Sequence, residues 1–327
     1  MRIAVLGAGA WGTALAISLA RRHEITLWAR DSDQASALGS SRMNERYLPG
    51  CAIPANVLPV ADLRVAVSGA EFLIAATPVA ALRELAGALV AIGASQPLVC
   101  ACKGFESGSA RMPHEVLAEC RRTAGAAALS GPSFAQEVAR GLPAALTLAS
   151  TDAEFARATA RALHQPTLRV YYTDDLPGVE IGGAVKNVMA IATGICEGLG
   201  LGLNARAALI TRGLAEITRL GTRMGGRPET FMGLAGAGDL ILTCTGELSR
   251  NRRVGLELAR GEPLERILGA LGHVAEGVNS ARAVSRLAAE RGVEMPITEA
   301  VCAVLFDSRS PQDAVQGLLE RDPKIEG

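Results

Sequence analysis

Ile3-Ala4-Val5-Leu6-Gly7-Ala8-Gly9-Ala10-Trp11-Gly12-Thr13-Ala14-Leu15 is the stretch on which the reading of the chain turns. Residues 3–6 are a short apolar run that reads as a buried strand, and 13–22 carry a helical pattern. Between them stand glycines at 7, 9 and 12. Gly7 permits a tight turn, Gly9 lets backbone approach a pyrophosphate, and Gly12 lets helix and strand pack closely. Free N–H groups at the helix start then hold phosphate charge. A second strand over 24–28 completes a compact βαβ unit, and this context turns a common glycine pattern into a dinucleotide-binding one.

The residue after that second strand selects the dinucleotide. A carboxylate there suits the ribose 2′-hydroxyl of NAD, whereas an arginine suits the 2′-phosphate of NADP. Trp28-Ala29 is followed by Arg30 and then Asp31, which favours NADP(H) with NAD(H) tolerated. The alternative is that both are solvated charges.

Downstream, apolar runs at 63–67, 72–76, 98–101, 126–129, 145–149 and 168–172 read as strands. Helical patterns at 79–92, 113–122 and 153–163 alternate with them. Such alternation implies an α/β domain with a mostly parallel sheet covered on both faces. Its ligands would sit beyond the carboxyl ends of the strands. That directs attention to Ala75-Ala76-Thr77-Pro78, Lys103-Gly104 and Ser130-Gly131-Pro132-Ser133. From about Asp174 the pattern becomes helical, over 179–199, 205–224, 252–259, 263–271, 278–291, 297–306 and 311–320. We therefore expect residues 1–174 to form a dinucleotide-binding domain and 175–327 an all-α substrate-binding domain, ending in a mobile tail after Leu319.

Composition narrows the function classes. The 327 residues suffice for about two domains. Formal net charge is zero, which gives no reason to expect nucleic acid or an anionic membrane as partner. The N-terminus superficially resembles a secretory signal, but its glycine turn interrupts the apolar stretch, and no other run reads as a membrane span. Seven cysteines without a C-x-x-C, and four scattered histidines (His23, His114, His164, His273), suggest a reduced, cytoplasmic, metal-free protein. Cys100 and Cys102 are expected on one face of a strand as small core residues.

Among 33 basic residues only Lys103, Lys186 and Lys324 are lysine. Arginine cannot release a proton at working pH, whereas burial tunes a lysine, so the two internal lysines are candidates for chemistry. Lys186 lies in Ile181-Gly182-Gly183-Ala184-Val185-Lys186-Asn187, where Gly182, Gly183 and Ala190 share its helix face. Two helical glycines cost about 1 kcal/mol each relative to alanine, a cost that close approach of another backbone or a ligand would explain. The alternative is plain helix packing with the lysine reaching water. Residues 232–240 read as a glycine-rich loop ending in Asp239. Ser249 reads as an N-cap, and a helix start carrying Arg250 and Asn251 suits a phosphate. Arg252 and Arg253 read as a solvated face.

The blocks G-A-G-A-W-G-T-A-L, A-C-K-G, S-G-P-S-F-A, G-A-V-K-N-V-M-A-I-A-T-G-I, G-A-G-D-L-I-L-T-C-T and L-S-R-N-R-R-V-G occur in this order. With them the chain resembles the bacterial NAD(P)-dependent glycerol-3-phosphate dehydrogenases, from Ile3 to about Gly277. The resemblance implies a Rossmann-type domain followed by a helical one like that of 6-phosphogluconate dehydrogenase, in a cytoplasmic homodimer. It implies reduction of dihydroxyacetone phosphate to sn-glycerol 3-phosphate for phospholipid synthesis. Carried over, Lys186 is the general acid/base, with Lys103 and Asp239 completing the catalytic set. Substrate would meet Lys103, Gly131, Ser133, Lys186, Asp239, Ser249, Arg250 and Asn251. Cofactor would meet Gly7, Gly9, Ala10, Trp11, Gly12, Arg30, Lys103, Ala135, Arg250, Val274 and Glu276. Ala10 departs from the serine common in the family, so a hydroxyl near the pyrophosphate is missing.

Ketone reduction needs a held hydride donor and a proton donor at the oxygen. Lys186, its pKa lowered by burial and by Lys103, would give the proton, while Asp239 orients it and Arg250 holds the phosphate. A β-hydroxyacid or 6-phosphogluconate-type dehydrogenase is the competing enzyme, and a non-catalytic dinucleotide sensor the competitor outside enzymes.

Overall fold

The computed structural model describes residues 1–121, 125–271 and 275–322. The cofactor contact expected of Val274, residue His273, and the tail from Pro323 onward lie outside the described residues. The chain divides into two compact units, Met1–Glu106 with Arg111–Glu180, and Ser107–Ala110 with Ile181–Gly327.

The first unit carries strands β1 (Arg2–Leu6), β2 (Glu24–Trp28), β3 (Met43–Asn44), β4 (Leu48–Ala52) and β5 (Val57–Val60), then β6 (Phe72–Ala75), β7 (Leu98–Cys100), β8 (Ala126–Ser130), β9 (Ala144–Ala149) and β10 (Leu168–Thr173). Its helices are α1 (Ala10–Leu19), α2 (Ser32–Ser41), α3 (Leu63–Val67), α4 (Leu82–Ala91), α5 (Pro113–Cys120), α6 (Ala135–Arg140) and α7 (Ala153–Leu163). Eight strands form one sheet in the order β10-β9-β8-β7-β6-β1-β2-β5, antiparallel only between β8 and β9. β3 and β4 form a separate hairpin.

The period of two in a strand divides the buried side chains between two cores. Ile3 and Val5 of β1 join Ile25, Leu27, Ile74 and Val99 on one face. Ala4 and Leu6 join Leu73, Ala75, Leu98 and Cys100 on the other. A strand apolar at every position is what a sheet covered on both faces requires.

Two expectations change in this unit. Residues 63–67 alternate like a strand but form α3, because Asp62 Oδ1 accepts from the N–H groups of Arg64 (2.7 Å) and Val65 (3.4 Å) and starts a helical turn. β7 ends at Cys100, so Cys102 lies beyond the strand and is only partly buried. One edge strand of the sheet, β5, contains Pro59, which an edge tolerates because one side of the strand needs no N–H donor.

The second unit is helical. It contains most of α8 (Leu176–Gly198), then α9 (Gly202–Arg223), α10 (Pro228–Met232), α11 (Asp239–Thr245), α12 (Arg250–Ala259), α13 (Leu264–Leu271), α14 (Glu276–Arg291), α15 (Pro296–Phe306) and α16 (Pro311–Leu319). Among the described residues only α8 is long and apolar enough to cross a membrane, and its apolar window is wholly buried. Residues 234–238, expected in a loop, form a wide π-helical turn running into α11. A Cβ on Gly236 would come 2.0 Å from the Phe231 carbonyl oxygen, so only glycine fits that turn.

Candidate active site

In the first unit the neighbouring parallel strands β8, β7, β6 and β1 bring their carboxyl ends side by side. The glycine turn, Thr77, Lys103 and Gly131 follow those four ends. The order of the strands reverses at β1, which is where such sheets bind nucleotides.

The turn itself is tightly determined. Gly7 has φ +121° and a Cβ there would meet the Ala76 carbonyl oxygen at 2.8 Å. A Cβ on Gly12 would meet the Gly7 carbonyl oxygen at 1.9 Å, while one on Gly9 would meet nothing within 4 Å. Two glycines thus serve packing and the third leaves open space over the start of α1. Ala10 opens α1 without a side-chain cap. Trp11 Nε1 and Thr77 Oγ1 are buried and have no hydrogen-bond partner among the described residues. Open space over a helix start beside polar groups awaiting partners fits a dinucleotide phosphate.

Two residues outside the glycine motif hold this turn. Buried Asn44, in the hairpin, donates from Nδ2 to the Ala8 carbonyl (3.0 Å) and to Thr13 Oγ1 (2.7 Å). Gln34 Nε2 donates to the same carbonyl at 2.8 Å. Nothing in the local pattern flags an asparagine that acts 36 residues away.

Arg30 and Asp31 separate in role. Asp31 caps α2, its Oδ1 accepting from the Asp33 N–H at 2.9 Å. Arg30 stays exposed and lies 3.7 Å from Glu84. Lys103 and Ser133, called from separate strand ends, converge on one atom. Lys103 Nζ (3.1 Å) and Ser133 Oγ (2.9 Å) both donate to the Gly131 carbonyl. Ala135 begins α6.

In the second unit Lys186 is buried on α8 and forms an ion pair with Asp239 Oδ1 on α11. Its Nζ also donates to Thr243 Oγ1 at 2.8 Å, and that hydroxyl donates to the Asp239 carbonyl at 2.6 Å. Thr243 was absent from the sequence-based site. Its position four residues after Asp239, on the same helix face, was the available signal. The approach expected beside Lys186 is backbone: a Cβ on Gly182 would come 2.6 Å from the Ala235 carbonyl oxygen.

Around the start of α12 the expected residues are used differently from one another. Buried Ser249 is the N-cap, its Oγ accepting from the Arg252 N–H at 3.2 Å. Asn251 donates to Asn187 Oδ1 (3.0 Å) and accepts from the Gly277 N–H (3.0 Å), tying α8, α12 and α14 together. Arg250 is exposed as a residue, yet desolvation of its guanidinium draws its pKa down, against the opposing pull of Glu276. The Glu276 carboxyl is pushed up to about 7 by burial, with Arg250 drawing it down. Arg252 departs from expectation: instead of lining a solvated face it is nearly buried and paired with Glu197. Arg253 is exposed as expected.

The family description for the NAD-dependent glycerol-3-phosphate dehydrogenase N-terminus matches residues 2–156, and that for its C-terminus matches residues 175–316. A glycerol-3-phosphate dehydrogenase [NAD(P)+] of Dechloromonas aromatica is 58% identical over 327 residues, covering 100% of this chain and 99% of that one. One from Aromatoleum aromaticum is 57% identical over 328 residues and covers 100% of both chains. The crystal structure of glycerol-3-phosphate dehydrogenase from Coxiella burnetii superposes with a TM-score of 0.94 at 44% identity, over 98% of this chain and 99% of that one.

Proposed function

The chain belongs to the NAD-dependent glycerol-3-phosphate dehydrogenases, and on that footing we propose how its residues divide the work. The enzyme interconverts dihydroxyacetone phosphate and sn-glycerol 3-phosphate with NAD(P)H, the product serving phospholipid synthesis. Residues 1–174 carry the dinucleotide turn, and 175–327 carry most of the substrate contacts. When bound, the reduced nicotinamide supplies the hydride. Gly7, Gly9, Ala10, Trp11 and Gly12 cradle the pyrophosphate, and Arg30, with Asp31 occupied as a cap, takes a 2′-phosphate. Lys103, Gly131 and Ser133 hold substrate from the first unit, and Ala135, Arg250 and Glu276 complete the cofactor contacts.

One observation carries the chemistry: a buried lysine held by a carboxylate and a hydroxyl. Lys186 passes a proton to the ketone oxygen as hydride arrives at carbon, and takes it back in the reverse direction. Asp239 and Thr243 fix the direction of its ammonium. Arg250, at the start of α12, binds the substrate phosphate through a charge-assisted fork, with the helix N-terminus adding its dipole. Ser249 and Asn251 shape that cradle.

Oxidation of NADPH and NADH, followed by absorbance with dihydroxyacetone phosphate and with unphosphorylated dihydroxyacetone, tests the reading. Turnover of the phosphorylated ketone far above a slow turnover of the unphosphorylated one supports it. Turnover of hydroxyacids instead would replace it with the competing dehydrogenase class.

We further place the enzyme in the cytoplasm as a homodimer. What favours a second copy is the amino-terminal half of α9, where 202–212 contain no buried residue and Leu203 is 72% exposed. Beside it in the same unit lies a groove of about 1080 Å³ lined by Ile195, Leu209, Ile297, Val301 and Leu318. A two-fold interface uses the same patch on both copies, so the ridge of one copy would meet the groove of its partner. Sedimentation of the purified enzyme checks this: a single monomeric species would remove the dimer.

A further inference from the structure

We propose that Glu197, through Arg252 and Arg206, is a positioning residue that aims Arg250 at the substrate phosphate. The proposal rests on the reading of Arg250 as the phosphate-binding group.

The packing of α12 on α8 is unusually bare. A Cβ on Gly194 of α8 would come 2.0 Å from the Arg252 carbonyl oxygen, and one on Gly255 of α12 would come 2.1 Å from the Ile191 carbonyl oxygen. A Cβ on Gly198 would reach the Ala259 Cβ at 2.5 Å. The two backbones touch where other helix pairs interlock side chains. Ridges set in grooves ordinarily fix how far one helix is turned against another. Glycine against glycine supplies closeness but little resistance to turning.

Polar contacts replace the missing ridges. Arg252 Nε donates to Glu197 Oε2 at 2.8 Å and its Nη2 to Oε1 at 2.5 Å, a two-point fork on a side chain only 11% exposed. Arg206 of α9 holds the same carboxylate from another side, 3.2 Å from Oε2. The two arginines hold the Glu197 carboxyl below its ordinary pKa, so it stays ionised at neutral pH. Arg252 follows Arg250 by two positions, about 200° further round the helix. The two side chains therefore leave the helix on nearly opposite sides, and the influence of Arg252 is on how α12 is turned. The first turn of α12 carries no acidic residue and has Arg250, Arg252 and Arg253 beside the positive end of the helix dipole. Glu197 is the anion that balances this charge from α8 without occupying the phosphate's place.

The clamp needs a planar fork, which lysine lacks. Arg252→Lys and Glu197→Gln should each raise KM for dihydroxyacetone phosphate about tenfold, because small misplacement of a binding group is costly. Both should leave kcat within about twofold, and kcat/KM for unphosphorylated dihydroxyacetone unchanged, since that ketone has no phosphate to misplace. The double variant should be no worse than the poorer single one, because both break one interaction. Glu197→Asp should recover part of the loss.

Thermal midpoints are recorded alongside, and Arg250→Ala serves as the reference. The proposal is overturned if the clamp variants lower the midpoint while KM for the phosphorylated ketone holds. It is equally overturned if turnover of both ketones falls together. If Arg250→Ala itself leaves that KM unchanged, the phosphate reading of Arg250 fails and takes this one with it. If Arg250→Ala raises KM but the clamp variants do not, only the positioning role falls.

Discussion

Lys186 and Asp239, 53 residues apart in the chain, form an ion pair in which neither side chain is more than 7% exposed. Burying two charges costs several kcal/mol each, which a pair held only for stability rarely repays. Removing the ammonium in Lys186→Met should cut turnover by about a thousandfold, in line with loss of a general acid. Asp239→Asn leaves the lysine without its carboxylate and should cost about 3–5 kcal/mol of stability, measured by urea unfolding. An apolar pair, Lys186→Met with Asp239→Leu, should regain most of that stability and none of the activity. A double variant that stayed active would remove Lys186 from the chemistry.

Gly182→Ala probes the approach of two backbones. Alanine gains about 1 kcal/mol of helix propensity over glycine. Its Cβ would lie 2.6 Å from the Ala235 carbonyl oxygen, and such overpacking costs about 1–3 kcal/mol. The net expectation is a lower melting midpoint. Activity should fall further than stability does, because Ala235 stands in the turn that delivers Asp239. A variant with wild-type midpoint and kcat would show that the contact is slack.

Arg30 is 76% exposed and, among the described residues, makes a long ion pair to Glu84. Arg30→Ala should raise KM for NADPH about tenfold, the worth of one charge-assisted bond, and leave KM for NADH nearly unchanged. Equal effects on the two cofactors would assign the 2′-phosphate to another group.

The buried Glu216 carboxyl accepts from the N–H groups of Ile297 (2.7 Å) and Thr298 (3.3 Å) and from the Thr298 hydroxyl (3.2 Å). Burial nevertheless pushes it up to about 7, against those bonds. A carboxyl raised on folding binds its proton more tightly in the folded state. Its contribution is therefore fully present below the ordinary value of 4.5 and is lost as pH rises through about 7. Unfolding free energy should decline across that window, and Glu216→Gln should flatten the decline in part, Glu276 sharing the same range. An unaltered slope in the variant would move the effect elsewhere.

Much of this was legible in residue order alone. A run that is apolar at every position, as in β1, must lie in a sheet covered on both faces, and glycines at 7, 9 and 12 leave few alternatives to a phosphate turn. Helical periodicity located the second unit, and the retention of lysine at 103 and 186 in an arginine-rich chain singled out both. These are local properties, set by strand and helix periods and by the conformational freedom of glycine.

Tertiary structure alone decided the rest. A five-residue alternation at 63–67 cannot separate a strand from a capped helical turn, and Asp62 made it the latter. Arg252 looks like any surface arginine until α8 brings Glu197 to it, and Asn44 looks like any loop asparagine until the hairpin lays it on Ala8. Asp31 and Arg30 look alike as adjacent charges until α2 claims Asp31 as its cap. Contacts between residues tens of positions apart follow from how elements pack, and no periodicity along the chain records them.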